Sequence, residues 1–175
     1  MNPYLVIILL ILVGRYLIEL AADWLNVRTI RQEMPAGFSG FLDAEQYAKA
    51  QNYLRDNTTF GIVLDSFDTF VTVIFIIAGG FNVFDHAARY FGLGSILTGV
   101  IYAGLLMLAT RIIHLPFSIY DTFVLEAKYG FNKTTPKTFV VDIIKSLILL
   151  ALIGAPLFAA ILWLFEKSGT LAWLY

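Results

Sequence analysis

The sequence contains no cysteine and only two histidines. The lack of cysteine excludes disulfide bonds, thiolate zinc sites and a cysteine nucleophile. Two imidazoles are too few for a zinc enzyme that keeps three protein ligands and an open position, unless carboxylates complete the set. His86 and His114 do not have the H-E-x-x-H spacing, and the chain has neither a G-x-S-x-G elbow nor a phosphate-binding glycine loop. We therefore predict no catalytic residue and no metal site in this chain.

Charge is also scarce, because only 14% of the residues are charged while 59% are hydrophobic. Soluble domains are about 25% charged, so this composition indicates that the lipid bilayer is the main partner of the chain. The formal net charge is −1, and no basic face is available for a phosphate backbone. Nucleic acid is accordingly excluded as a partner.

Four apolar stretches are long enough to cross a bilayer, which takes about 20 residues. The sequence thus predicts an all-α fold, a polytopic membrane helix bundle that forms a single domain over residues 1–175. The cores Tyr90–Thr110 and Ser146–Phe165 are uncharged throughout. The predicted spans cover approximately residues 3–25, 60–84, 90–110 and 139–165.

Lysine and arginine concentrate in two of the connections, residues 26–59 and 111–138, which carry four basic residues each. Short basic connections face the cytoplasm. We therefore expect a multi-pass protein of the cell (inner) membrane, with an external N-terminus and both basic loops on the cytoplasmic side.

Capping signals indicate that both loops are structured. Asp43 precedes an amphipathic stretch, which predicts a helix at the membrane surface, and the Ser118–Asp121 pair predicts another helix start. Gly130 is placed to end that helix in the left-handed conformation. Thr135 and Pro136 are typical of the cap and first residue of the next helix.

Seven charged residues fall within the predicted spans, where a charge needs a partner or a wet cavity, and one of them, Asp23, is near the interface. Arg15 and Glu19 are one turn apart, which favours a self-contained ion pair over a substrate contact. Asp65 and Asp68 lie near a predicted helix start, where the helix dipole explains them more simply than acid–base chemistry does. Asp142 and Lys145 are predicted to form an interfacial pair.

Small residues recur every four positions at Ser95, Gly99 and Ala103, which predicts close packing of another helix. Pro156 is expected to kink the last span. After Gly169 the chain becomes apolar again over residues 171–175, which indicates a sequence truncated before a fifth span.

A longer motif is found in the stretch LPFSIYDTFVLEAKYGFNKTTPKTFVVDIIKS, residues 115–146. It resembles the N-terminal membrane domain of the M48 zinc metalloproteases of the CAAX prenyl protease type, and residues 25–40 resemble the bacterial branch of that family. The motif positions of the family are occupied here by Pro116, Tyr120, Glu126, Gly130, Phe131, Asn132, Asp142 and Lys145.

The resemblance implies a membrane protease with seven spans around a chamber, whose zinc is held by H-E-x-x-H and a later Glu. This chain lacks those ligands, so we expect no cofactor in it, zinc only in an intact parent, and no activity of the chain alone. The motif residues, Glu126 and Asn132 in particular, are expected to support a downstream catalytic domain. Self-association through uncovered surfaces is a further expectation.

Two alternatives from other classes remain open at this point. One is a stand-alone membrane scaffold or adaptor that kept the fold and lost the protease. The other is a small transporter subunit that uses Asp65, Asp68 and the Arg15 and Glu19 pair along a polar path.

Overall fold

The computed structural model describes residues 2–31 and 43–169, and this part of the chain is built from helices joined by short turns. Four of its five helices are long and apolar enough to cross a membrane. The all-α membrane fold and its four spans are therefore confirmed. The helices are α1 Pro3–Thr29, α2 Ala44–Ile77, α3 Gly80–Arg89, α4 Ser95–Tyr129 and α5 Pro136–Ser168.

Helix α2 corrects the prediction of a separate surface helix followed by a span over residues 60–84. The Asp43 carboxylate accepts a hydrogen bond from the Glu45 backbone amide at 3.1 Å, so the predicted cap is confirmed. The helix then continues without a break through the polar stretch and the apolar stretch to Ile77. It ends there because Gly79 adopts a left-handed conformation with φ of 72°.

The short helix α3 occupies the end of the predicted second span. Its Arg89 Nε donates a hydrogen bond to Asp85 Oδ2 at 2.8 Å, and this bond holds the pKa of the Asp85 carboxyl below its usual value. The five residues between α3 and α4 include two glycines, and Gly92 has φ of 64°. The third span therefore begins at Ser95, five residues after the predicted Tyr90.

Helix α4 also extends well beyond the predicted end at Thr110. It passes Arg111 and Pro116 and includes a π-helical segment, Asp121–Glu126, before ending at Tyr129. The expected helix start at Ser118 is wrong, because the chain is already helical there and intrahelical bonds satisfy the backbone. Residues 111–129 are thus part of a long helix and not of a loop.

Helix α5 agrees with the capping prediction at its start. Thr135 Oγ1 accepts a hydrogen bond from the Thr138 amide at 3.2 Å, and Pro136 is the first helical residue. A π-helical segment, Leu150–Gly154, ends two residues before Pro156. Because proline lacks an amide hydrogen and crowds the carbonyl four residues earlier, this irregularity lies where the sequence predicts a kink. The predicted restart at residues 171–175 and most of residues 25–40 lie outside the described residues.

The chain divides into two compact units. The first contains α1, α2 and the end of α4, as the described residues of Met1–Ala78 and Ile119–Asn132. In it α1 packs on α2, and the Tyr16 hydroxyl is 2.7 Å from Ser66 Oγ.

The second unit consists of Gly79–Ser118 and the described residues of Lys133–Tyr175. Its close packing follows the small residues of α4, as predicted. A Cβ added at Gly99 would lie 2.7 Å from Leu162 Cδ1, and Ser95 Oγ donates a hydrogen bond to Glu166 Oε2 at 3.1 Å.

Candidate functional site

One face of α2 contacts the motif segment, which we define as Tyr120–Asn132. The face consists of Lys49, Tyr53, Asp56 and Phe60, whose spacing of four, three and four residues places them on one side of a helix. We call these four residues the α2 face. Both elements belong to the first unit.

Aromatic rings form most of this contact. Tyr53 packs edge-on against Tyr129 and Phe131, with ring centroids 5.4 and 4.8 Å apart. Phe60 packs against Tyr120 with a centroid separation of 5.1 Å. Such pairs contribute about 0.5–1.5 kcal/mol beyond the area they bury. The rings therefore attach both ends of the motif segment to a single helix.

A charged hydrogen-bond cluster reinforces the rings. Asp56 Oδ2 accepts hydrogen bonds from Lys128 Nζ and from the Tyr129 hydroxyl, both at 2.6 Å. The Tyr129 side chain is among the few buried ones in the described residues, with 7% of its surface exposed. Because a buried hydroxyl without a partner is costly, Asp56 fixes the position of Tyr129.

The turn after α4 is tightly defined by backbone bonds. Gly130 has φ of 72°, which confirms the predicted left-handed helix stop. The amides of Phe131 and Asn132 both donate to the carbonyl oxygen of Glu126, at 2.9 and 3.4 Å. Lys49 Nζ lies 5.9 Å from the centroid of the Phe131 ring, at the edge of cation–π range. The turn thus presents Asn132 from a fixed backbone.

The intramembrane charges meet in a cleft of about 230 Å³ between α1 and α2. Arg15 Nε is 2.8 Å from Glu19 Oε1, so the predicted ion pair is confirmed. The same cleft is lined by Asp65 and Asp68, with Tyr16, Thr69 and Thr72 completing its polar wall. Helix α2 starts at Ala44, so the two aspartates are well inside the helix and a helix-start dipole does not account for them.

The remaining motif residues belong to the second unit. Pro116 lies inside α4, where its missing amide removes one intrahelical bond. Asp142 and Lys145 form the predicted surface pair on α5, with 3.7 Å between Oδ1 and Nζ. These three residues lie on α4 and α5, outside the contact between the α2 face and the motif segment.

Zinc, which the resemblance implies, does not fit the donors present. Within residues 2–31 and 43–169, no three histidine, cysteine or carboxylate side chains converge on one point as metal ligands would. A catalytic zinc needs three such ligands and an open position. No reaction step through zinc can be derived from these residues.

The α2 face is the part of this site that the sequence analysis missed. The four-three-four spacing of Lys49, Tyr53, Asp56 and Phe60 was a signal for one helix face. The sequence analysis predicts an amphipathic helix after Asp43 but does not single out these four residues.

Comparison with known proteins identifies the family to which this chain is similar. The family model described as "CAAX prenyl protease N-terminal, five membrane helices" matches residues 23–175. The chain is 30% identical to the probable CAAX prenyl protease 1 of Schizosaccharomyces pombe, over 96% of this chain and 38% of that protein. A homolog from Oryza sativa subsp. japonica is 29% identical over 99% of this chain and 43% of its own length.

A solved structure gives the same result. The crystal structure of S. mikatae Ste24p superposes on this chain with a TM-score of 0.89 at 29% sequence identity. The match covers 97% of this chain and 41% of the Ste24p chain. The chain thus spans about two fifths of the relatives and of the solved structure that it matches. Its sequence motif, helical architecture and similarity agree, and this multi-pass membrane chain belongs to the N-terminal family of the M48 CAAX prenyl proteases.

Proposed function

We propose that this chain is the non-catalytic N-terminal membrane portion of a zinc metalloendopeptidase that cleaves peptide bonds near the C-terminus of membrane-associated, CAAX-like substrates. The observation that carries the proposal is the similarity to S. mikatae Ste24p over 97% of the chain. The zinc ligands and the general base would belong to the downstream catalytic part, which this chain would hold at the membrane.

The motif segment is the proposed docking surface for that catalytic part. The α2 face fixes it through Asp56 and Tyr53, and the Gly130 turn then presents Asn132. Glu126 serves the turn through its carbonyl oxygen, and its side chain is half-buried. A surface held from a membrane helix can orient a domain without taking part in its chemistry.

The proposed orientation follows from the charge distribution. The motif segment carries Lys128 and is followed by Lys133 and Lys137, while the start of α2 carries Lys49 and Arg55. Basic residues of short connections accumulate on the cytoplasmic side. The catalytic part would therefore dock in the cytoplasm, and the membrane would be the cell (inner) membrane.

A chimera tests the function. This chain would replace the matching N-terminal part of Ste24p, and cleavage of a farnesylated CAAX peptide would be measured in detergent. We expect zinc-dependent cleavage. A chimera that folds and binds stoichiometric zinc but shows no cleavage would reject the proposal.

The docking role is tested in the same chimera by Asn132→Ala and by Glu126→Ala, which keeps the backbone carbonyl that holds the turn and removes only the half-buried side chain. Each variant should reduce cleavage about tenfold or more while zinc content and melting temperature stay close to the parent values, since loss of positioning acts on the reacting geometry. Lys133→Ala is the matched control, because Lys133 is the exposed neighbour of Asn132. Unchanged cleavage in both variants would exclude the docking role while leaving the family function intact.

A further inference from the structure

A groove of about 420 Å³ runs between α4 and α5 within the second unit. Its walls are mostly apolar, and a single basic residue, Arg111, lies among its lining. The other residues that line it are Gly104, Met107, Leu108, Ile143, Ser146, Leu147 and Leu150.

The groove reaches the polar boundary of both helices at the same level. Arg111 is the first charged residue after the uncharged run of α4, and Ser146 is the first residue of the uncharged run of α5. Both line the groove. At the far end of these runs, Ser95 bonds to Glu166, so the two uncharged stretches are aligned antiparallel. The run from Ser146 to Phe165 is about 30 Å long, the thickness of a bilayer hydrocarbon core.

Arg111 carries a charge that the described residues do not balance. It forms neither a hydrogen bond nor an ion pair with any described residue, and its side chain is exposed. Asp142, which precedes the groove residue Ile143 on α5, is paired with Lys145 on its own helix, at 3.7 Å. Arg111, at the interface end of an apolar groove, therefore has no anionic partner among the described residues. Phosphate is an anion that a membrane provides at that depth.

The floor of the groove leaves room for a chain of methylene groups. A Cβ built at Gly104 would meet nothing within 4 Å, in contrast to Gly99, where it would meet Leu162 at 2.7 Å. The two helices are therefore in close contact at Gly99 and open at Gly104. From Gly104 to Arg111 the helix rises about 10 Å, which matches several methylene groups of an acyl chain lying along the groove.

We propose that this groove binds an anionic phospholipid of the bilayer, with its phosphate at Arg111 and one acyl chain along Gly104, Leu108, Leu147 and Leu150. The apolar wall takes the acyl chain of any phospholipid, while Arg111 selects for net negative charge in the headgroup. This proposal does not rest on the proposed docking role, because none of the residues that line the groove belongs to Tyr120–Asn132.

Native mass spectrometry of the 175-residue protein tests this assignment. Palmitoyl-oleoyl phosphatidylglycerol and the phosphatidylcholine with the same chains would be added in separate arms, and the retained lipid measured. We expect the wild type to retain more phosphatidylglycerol. Arg111→Gln should lower that retention about fivefold, the effect of one basic residue at a membrane surface, and should lower phosphatidylcholine retention less, because the choline group already neutralises that phosphate. Gly104→Leu, which places a side chain in the groove at a position where an added Cβ meets nothing within 4 Å, should reduce retention of both lipids.

Two further variants keep the result interpretable. Lys137→Gln removes an exposed basic charge outside the groove and should retain both lipids as the wild type does. Arg111→Lys keeps the charge and should keep the preference for phosphatidylglycerol, so a lost preference in Arg111→Gln alone reports charge and not misfolding. The proposal is overturned if Arg111→Gln retains phosphatidylglycerol like Lys137→Gln does. It is also overturned if Gly104→Leu changes the monomer–dimer ratio and not lipid retention, since a second copy would then occupy the groove.

Discussion

The hydroxyl of Tyr129 donates a hydrogen bond of 2.6 Å to the carboxylate of Asp56, which lies 73 residues earlier in the chain. The bond joins the last turn of α4 to the middle of α2, directly before the left-handed residue Gly130. It therefore determines where the motif turn leaves the helix. Several measurable consequences depend on this arrangement and on the packing around it.

Tyr129→Phe removes the hydroxyl while keeping the ring. We expect the melting temperature in detergent to fall by roughly 2–4 °C, the shift that accompanies loss of about one net hydrogen bond in a chain of this size. Tyr53→Phe is the matched control, because the Tyr53 ring packs on Tyr129 and no hydrogen bond of its hydroxyl is described. Equal shifts in the two variants would contradict the role of Asp56.

Gly130→Ala places a side chain at φ of 72°. An L-residue in the left-handed conformation costs about 1–2 kcal/mol, so the variant should unfold at lower denaturant concentration than the wild type. Gly130→Asn should be milder, because asparagine tolerates this conformation. Gly61→Ala is the control, since Gly61 lies inside α2 with open space at its Cβ. A Gly130→Ala variant as stable as Gly61→Ala would rule out a strained turn.

Gly99→Leu should destabilise the packing of α4 on α5, because even a Cβ at Gly99 would lie 2.7 Å from Leu162 Cδ1. Overpacking of this kind costs about 1–3 kcal/mol. The double variant Gly99→Leu/Leu162→Ala should recover part of that loss in the same unfolding assay. If the double variant is less stable than Gly99→Leu alone, the two side chains do not share a contact.

Arg15→Met leaves Glu19 beside Asp65 and Asp68 in the polar cleft without its cation. Because unpaired charges inside a span are expensive, we expect lower membrane yield and a lower melting temperature than in Arg15→Met/Glu19→Leu, which removes the pair together. The melting temperature would be measured for Arg15→Met, for Glu19→Leu and for the double variant. Additive losses from the two single variants would show that the ion pair carries no coupling energy.

Labelling of introduced cysteines tests the proposed orientation. The native chain has no cysteine, so each of the variants Lys49→Cys, Lys133→Cys and Arg89→Cys contains a single reactive thiol. In intact cells, an impermeant maleimide should label only the Arg89→Cys variant. The first two variants should react after the membrane is opened. Labelling of Lys49→Cys and Lys133→Cys from opposite sides would overturn the orientation.

Local interactions were predictable because spacing along the chain encodes them. The Arg15 and Glu19 pair, the caps at Asp43 and Thr135 and the stop at Gly130 each involve residues within about four positions. Hydropathy alone was also sufficient to predict the number of membrane spans, which is four. Helix ends were less accurate, since Arg111 and Ser118 look like boundaries in sequence while cooperative backbone bonding carries α4 through both.

Apolar length and short-range spacing are properties of the chain alone, and they are enough to predict a membrane protein of four spans with a motif segment typical of its family. Helix packing is needed to show that Asp56 binds Tyr129, that Arg15 shares a cleft with Asp65, and that Arg111 and Ser146 line one groove. Each of these pairs is 35 or more residues apart. Their meeting depends on how whole helices pack, and the composition of any single helix does not specify it.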